Sequence, residues 1–331
     1  MLILACAASL LACALLAQAA LASTTYFVSP TGSGTSCTEA APCALTKGYE
    51  KTVAGDSVLL EPGSYTLEKG LNVTRAISLG GRVGASTTVL TSEAALLKVG
   101  GEPKAIFHDL RIEGPVPFLL GTASAERVFV SYTGGSVNPA CWISPSPVRT
   151  PMLRDSVCWA HGEAAANAVF INGNNGGKAI LRNNTLVGAA GASGLRVELA
   201  KAWSEIPVEV EVFNSIARSP GTDVEAVATG TGSVATVTLT HSNYATASVK
   251  GGATVTAPGT GTNQTAEPLF TEAAGGVFTE LPGSPTIDAG ANETANGTLA
   301  LAGEARELGS CVGGPAVTDI GAYEFVPTAP C

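Results

Sequence analysis

The chain has 331 residues, of which 14% are charged and 5% aromatic, with 39 glycines and a net charge of −9. That length can bury a sizeable core without a metal or a partner, and abundant Gly, Ala, Ser and Thr suit strands and tight turns better than helices. No run of Lys or Arg exists to neutralise phosphates, so nucleic acid and anionic lipid are excluded as the basis of function.

Residues 1–22, MLILACAASLLACALLAQAALA, carry no charge and end in a small-x-small site, Ala20-Leu21-Ala22. This predicts a signal peptide and a secreted, extracellular product. Membrane anchoring through the same segment is the weaker reading, since LLAC at 10–13 also resembles a bacterial lipoprotein cleavage box. No later apolar run is long enough to span a bilayer.

Loss of the signal removes Cys6 and Cys13 and leaves Cys37, Cys43, Cys141, Cys158, Cys311 and Cys331. An even number in an exported chain predicts disulfides, with fifteen pairings available to six cysteines. The sequence-local set is favoured, 37 with 43, 141 with 158 and 311 with 331, because each closes a short loop. A zinc site is disfavoured: there is no Cys-x-x-Cys and the three histidines are scattered.

Residues 23–55 read as a Cys loop followed by the one amphipathic helix near the front, LTKGYEKTVAG at 45–55, placed to cap a stack of strands. From 56 to 266 the chain is a succession of short β-rich runs closed by turns. RAISLGG (75–81), AIFHDLRIEG (105–114) and ERVFVSYTGG (126–135) are followed by PMLRDSV (151–157), AILRNNTL (179–186), VEVFNSI (210–216) and LTHSNY (239–244). In the last four, Asp155, Asn184, Asn214 and Asn243 stand 29, 30 and 29 positions apart and are read as corner residues. Before the corners apolar and polar residues alternate, as in Val208, Val210 and Val212 against Glu209 and Glu211, which is the period of a half-buried strand.

A fixed period filled with short strands and Asn, Gly and Ser turns predicts an all-β parallel solenoid of roughly eight coils, about 40 Å long at the usual strand spacing. Asn suits such a corner because it tolerates left-handed backbone and can hydrogen-bond across coils. An antiparallel sandwich with coincidentally spaced turns is the competing architecture.

The ends of the chain carry a resemblance. YFVSPTGSGTSCTEAAPCALTKGYEKTVAGDSVLLEPGSYTL (26–67) resembles the first coil of bacterial secreted right-handed parallel β-helix proteins with the pectin-lyase-like fold. EPLFTEAAGGVFTELPGSPTIDAG (267–290) with TDIGAYEF (318–325) looks like the terminal region called choice-of-anchor Q in such proteins, departing from it in LAGEAR at 301–306. The resemblance implies a right-handed β-helix with an N-terminal helical cap and an irregular C-terminal cap over 267–331. In that cap Ser284, Pro285, Asp288, Asp319 and Tyr323 would be organising residues rather than catalysts.

Three functions compete: a non-catalytic secreted scaffold that binds glycans or other extracellular surfaces, a polysaccharide lyase or glycoside hydrolase, and a structural or adhesive cell-envelope component. Catalysis on a sugar polymer needs a positioned acid and base, or calcium ligands with a basic group. The six aspartates (56, 109, 155, 223, 288, 319) fall singly, so the scaffold leads and no catalytic residue is assigned. His161-Gly162-Glu163 has a His-x-Glu spacing but no Pro-Cys-x-x-Cys partner, and reads as a surface loop. No cofactor is expected; calcium between Asp288 and Asp319 is the alternative. Just before the corners lie His108, Arg154, Arg182 and Phe213, a stacked strip that could meet acidic sugars.

Overall fold

A computed structural model describes residues 23–93, 97–200 and 206–331. The predicted signal peptide at 1–22, with Cys6 and Cys13, lies outside the described residues.

The chain is an all-β parallel solenoid. Its longest sheet stacks ten strands in sequence order: Thr25–Val28, Ser57–Leu60, Ser78–Gly81, Ile106–Gly114, Ser124–Tyr132, Met152–Arg154, Gly177–Arg182, Val208–Phe213, Ala235–Thr240 and Ala253–Val255. After a corner the same coils continue onto a third face through Val157–Ala160, Thr185–Val187 and Ile216–Arg218. The opposite face is an eight-stranded sheet running from Leu71–Val73 to Ala247–Gly251. All pairings in these faces are parallel, and the antiparallel pair among the named strands is the hairpin Phe270–Glu272 with Val277–Glu280.

Stacking produces the core. Val58, Leu79, Phe107, Ala125, Leu153, Leu181, Val212 and Leu239 succeed one another in register, each at most 1% exposed. Phe118, Cys141, Val169, Leu195 and Val224 face them from the eight-stranded sheet. Phe107 meets Phe118 edge-on at 5.3 Å, joining the two columns. No coil could bury its apolar side alone; each is covered by the coils above and below.

From Ile106 to Thr240, the corner of the long sheet turns in each coil on one residue with left-handed backbone: Asp109, Arg127, Asp155, Asn183, Asn214 and His241, with φ between 45° and 55°. Two corner assignments from sequence are therefore corrected. At AILRNNTL the corner is Asn183, not Asn184, and at LTHSNY it is His241, not Asn243. The physical reason is that the residue after each corner turns inward and makes a different ladder. Ser156 N–H donates to Asn184 Oδ1 (3.1 Å), Asn184 N–H to Ser215 Oγ (3.0 Å), Ser215 N–H to Ser242 Oγ (3.3 Å) and Ser242 N–H to Asn263 Oδ1 (3.0 Å). All five residues are buried. Asn243 lies one step further, paired with Ile216 across the coils.

The expected helix forms at Leu45–Lys51 and packs on the first two strands. Disulfides join Cys37–Cys43, Cys141–Cys158 and Cys311–Cys331. The middle one crosses the interior from the eight-stranded sheet to the third face.

Residues 267–331 run along the flank of the stack. Phe278 packs between Phe129 (6.3 Å) and Trp159 (5.6 Å) of the third face. Arg306, 1% exposed, pairs with Asp155 Oδ1 at the corner (2.7 Å) and with Glu324 Oε1 of its own segment (2.9 Å). Within the segment, Asp319 accepts the N–H groups of Asp288 (2.7 Å) and Phe325 (2.6 Å), Asp288 accepts that of Ser310 (2.9 Å), and Ser284 Oγ that of Leu269 (3.0 Å). Tyr323 packs against the Phe129–Trp159–Phe278 cluster.

Candidate functional site

The strip foreseen before the corners exists as a column. Gly80, His108, Glu126, Arg154, Arg182, Phe213 and Thr240 succeed one another in register, with Glu126 an unforeseen member. His108 bonds Asp109 through Nδ1 (2.9 Å) and Ser78 through Nε2 (3.0 Å). It points outward although Phe107 and Leu110 both point in, because the left-handed residue at 109 resets the alternation. Burial pushes Asp109 up, but hydrogen bonds from His108 and Arg127 outweigh it and hold the carboxyl below its usual range.

The two arginines of the strip are engaged inside the chain. Arg154 pairs with Glu126 and Asp155 and donates to the Ala295 carbonyl (3.2 Å). Arg182 donates to Glu293 Oε2 and Asn296 Oδ1, each at 2.9 Å, and its guanidinium lies 4.2 Å over the Phe213 ring. Their side chains are 18% and 14% exposed, since residues 293–296 lie across them. His161 is also placed by its neighbours: the ring stacks on Trp159 at 3.5 Å and bonds Ser131 Oγ through Nε2 (2.9 Å). Burial and the Arg111 charge lower its pKa.

An open groove of about 640 Å³ lies instead on the outer face of the eight-stranded sheet. Its floor is the outward column Trp142, Phe170, Arg196, Glu225 and Ser248, one residue from each of five successive strands. The first four are flanked in sequence by residues that fill the core, so the pleat alone turns them outward, and Ser248 follows them in register. Loop residues Val137, Asn138, Ala165, Asn167 and Gly191, with Thr222 at the start of its strand, wall it.

The aromatic end of the floor is a T-shaped pair, Trp142 and Phe170, 4.9 Å between centroids, with the indole N–H donating to Ser144 Oγ (3.1 Å). The polar end is one ionic network. Arg196 donates through Nε (3.0 Å) and Nη2 (2.6 Å) to Glu198 Oε2 and through Nη1 to Glu225, and Lys250 Nζ lies 3.4 Å from Glu225 Oε1. Burial works against the Arg196 charge, and the two glutamates outweigh it, raising its pKa. Arg196, Glu225 and Lys250 line the groove and Glu198, beside it, offsets the second cation, so the network as a whole is balanced in charge.

This column escaped the sequence reading because the corner motifs drew the register to the other face. The signal was present: CWI, VFI, LRV and VEA each place one aromatic or charged residue between apolar ones, about one coil apart.

Among the described residues no group of three or more His, Cys, Asp or Glu is placed to hold a metal ion. No helix of the described residues is long and apolar enough to cross a membrane.

No family model matches the chain, and no curated protein matches it. Among solved structures it is similar to the crystal structure of pectate lyase Pel9A, at 12% identity and a TM-score of 0.44, over 92% of this chain and 97% of that one.

Proposed function

We propose that the protein is an exported solenoid scaffold that binds an extended, uncharged glycan along the groove of its eight-stranded sheet. The observation that carries this reading is the floor itself: two aromatic rings followed by Arg196, Glu225 and Lys250, with Glu198 beside them completing a charge-balanced network. A sugar ring offers an apolar C–H face to an aromatic and hydroxyls to fixed donors and acceptors, and this floor presents both in line. The volume, about 640 Å³, falls within the range that holds a small ligand or a few sugar units. Three disulfides support folding in an oxidising compartment, in keeping with export.

Binding is favoured over chain cleavage by the way the carboxylates are used. Glu198 and Glu225 are both ion-paired to one guanidinium, which fixes them as hydrogen-bond acceptors; a cleaving enzyme needs one such group free to give a proton. The reading invokes no cofactor. Retention of the protein on immobilised neutral and uronic-acid polysaccharides tests it, with reducing-sugar and unsaturated-product assays run alongside. Retention on a neutral polymer without product is the expected result; product from any polymer replaces this reading with a lyase or hydrolase.

A further inference from the structure

We propose that two copies of this chain associate tail to tail through the final coil, by antiparallel pairing of the strand Ala247–Gly251 with itself. The same strand gives Ser248 and Lys250 to the groove, but the pairing uses its free backbone edge and the inward Val249, and does not rest on the glycan reading.

The two ends of the solenoid are finished differently. At the first coil the edge is occupied: Phe27 N–H donates to Cys37 O (2.8 Å), Cys43 N–H donates to Phe27 O (3.1 Å), and the helix Leu45–Lys51 covers the first strands. At the last coil, among the described residues, Ala247–Gly251 pairs with Thr222–Ala228 alone and ends its sheet, and Ala253–Val255 ends the long sheet. The C-terminal segment does not cover this end, because it runs along the flank.

The end left open is a cross-section of the core. Val249 stands in register with Ala226, an inward residue that is wholly buried, yet Val249 is 53% exposed. Its side chain points into the interior and lacks a coil above it. Its backbone is open in the same direction. Thr246 O accepts from Val224 N–H (3.2 Å) and Gly252 N–H donates to Ala228 O (2.9 Å), so the even-numbered residues bond the neighbouring strand. Alternation in a parallel ladder then turns the N–H and C=O of Val249 toward the free edge. An apolar end with unmet strand hydrogen bonds is the surface on which another strand adds.

The strand is complementary to itself. An antiparallel pair centred on Val249 sets Val249 against Val249 of the second copy and Ser248 against Lys250, so no like charges meet. Although the chain carries −9 overall, Ala247–Val255 contains no carboxylate and Lys250 as its one charge. A two-fold axis through this pair keeps the inward faces of both copies on one side, so the two cores become continuous, and the interface closes at two subunits. The occupied first coil offers no equivalent edge for a head-to-tail chain.

The test is the mass of the full chain in solution, by sedimentation or light scattering, up to its solubility limit. A dimer is expected, Val249→Lys should be monomeric with an unchanged far-ultraviolet dichroism spectrum, and Val249→Cys should form a disulfide to itself under mild oxidation. The last follows because a hydrogen-bonded antiparallel pair sets Cα atoms about 5.5 Å apart, within disulfide reach. Val148→Cys, at another exposed valine (65%), is the control that should not cross-link. A wild-type monomer at all concentrations, a dimer that survives Val249→Lys, or a dimer in which the Val249→Cys and Val148→Cys variants cross-link alike would each overturn the proposal.

Discussion

Asn184 Oδ1 accepts the backbone N–H of Ser156, one coil away, while its own Nδ2 donates to the carbonyl of Leu153 at 2.9 Å. One buried amide thus satisfies two backbone groups at the bend, where the sheet ladders are interrupted and no water enters. The corner proper belongs to Asn183, which takes the left-handed backbone and donates to Asp155 Oδ1 (3.0 Å).

Asn184→Ala should therefore cost about 2–4 kcal/mol, from a buried N–H and a buried C=O left unpaired. Asn184→Ser should cost less, since serine fills this place at 156, 215 and 242 and its hydroxyl can still accept the N–H. Urea denaturation of the three proteins checks the order; equal stabilities would show that the ladder contributes nothing.

Arg306 has no solvent exposure of its side chain, neutralises Asp155 and donates to Glu324 Oε1 where the flank segment meets the corner. Arg306→Ala is expected to lose about 3–5 kcal/mol, the usual effect of stranding one side of a buried ion pair. Adding Asp155→Asn to Arg306→Ala should recover part of that loss, because the second change removes a stranded charge. A double variant less stable than Arg306→Ala would contradict the pairing.

The same region sets a direction for pH. Burial pushes Glu280 up to about 7, Asp319 to about 6 and Glu324 to about 9, each raised further by a neighbouring carboxylate, and Asp155 to about 6. In the unfolded chain these groups titrate near the ordinary carboxyl value of about 4. Between those values the folded state holds more protons, so these groups favour folding below the ordinary carboxyl range and lose that contribution as pH rises through about 6 to 9. Thermal unfolding should show a higher midpoint at pH 5 than at pH 8. The reverse order would mean that the four carboxyls are hydrated.

Cys141 and Cys158 are both fully buried and link opposite faces of the same coil, closing a loop 17 residues in separation. Cys141→Ala with Cys158→Ala should lower stability by about 2–4 kcal/mol. The matching change at Cys37 and Cys43, separated by 6, should cost less if the effect comes from restricting the unfolded chain. Chemical denaturation of the two double variants under identical conditions decides it.

The solenoid was legible because its strands alternate and its corners recur; Val208–Phe213 alone shows the pleat in VEVEVF. The alignment of His108, Arg154, Arg182 and Phe213 was legible too, since each stands just before a turn in a β-rich run of similar pattern. What stood on either side of that column was not. Glu126 belongs to a coil whose corner is an arginine, a residue type that gives no turn signal, and Glu293 and Asn296 reach the strip from more than a hundred residues away. Tertiary return of that kind leaves no mark in local pattern. Asn184 was misplaced for a local reason: in Asn183-Asn184 either amide could bend the chain, and only the inward turn of the second separates their tasks.

Titration calorimetry with the neutral polysaccharide that retains the protein compares the two faces directly. Trp142→Ala and Arg196→Ala should each weaken binding at least about tenfold, as loss of a central aromatic or arginine contact does. The paired change Arg154→Ala with Arg182→Ala should leave it within about twofold, provided the protein stays folded. Binding that survives both groove substitutions and vanishes with the arginine pair would place the ligand on the corner strip and contradict the groove.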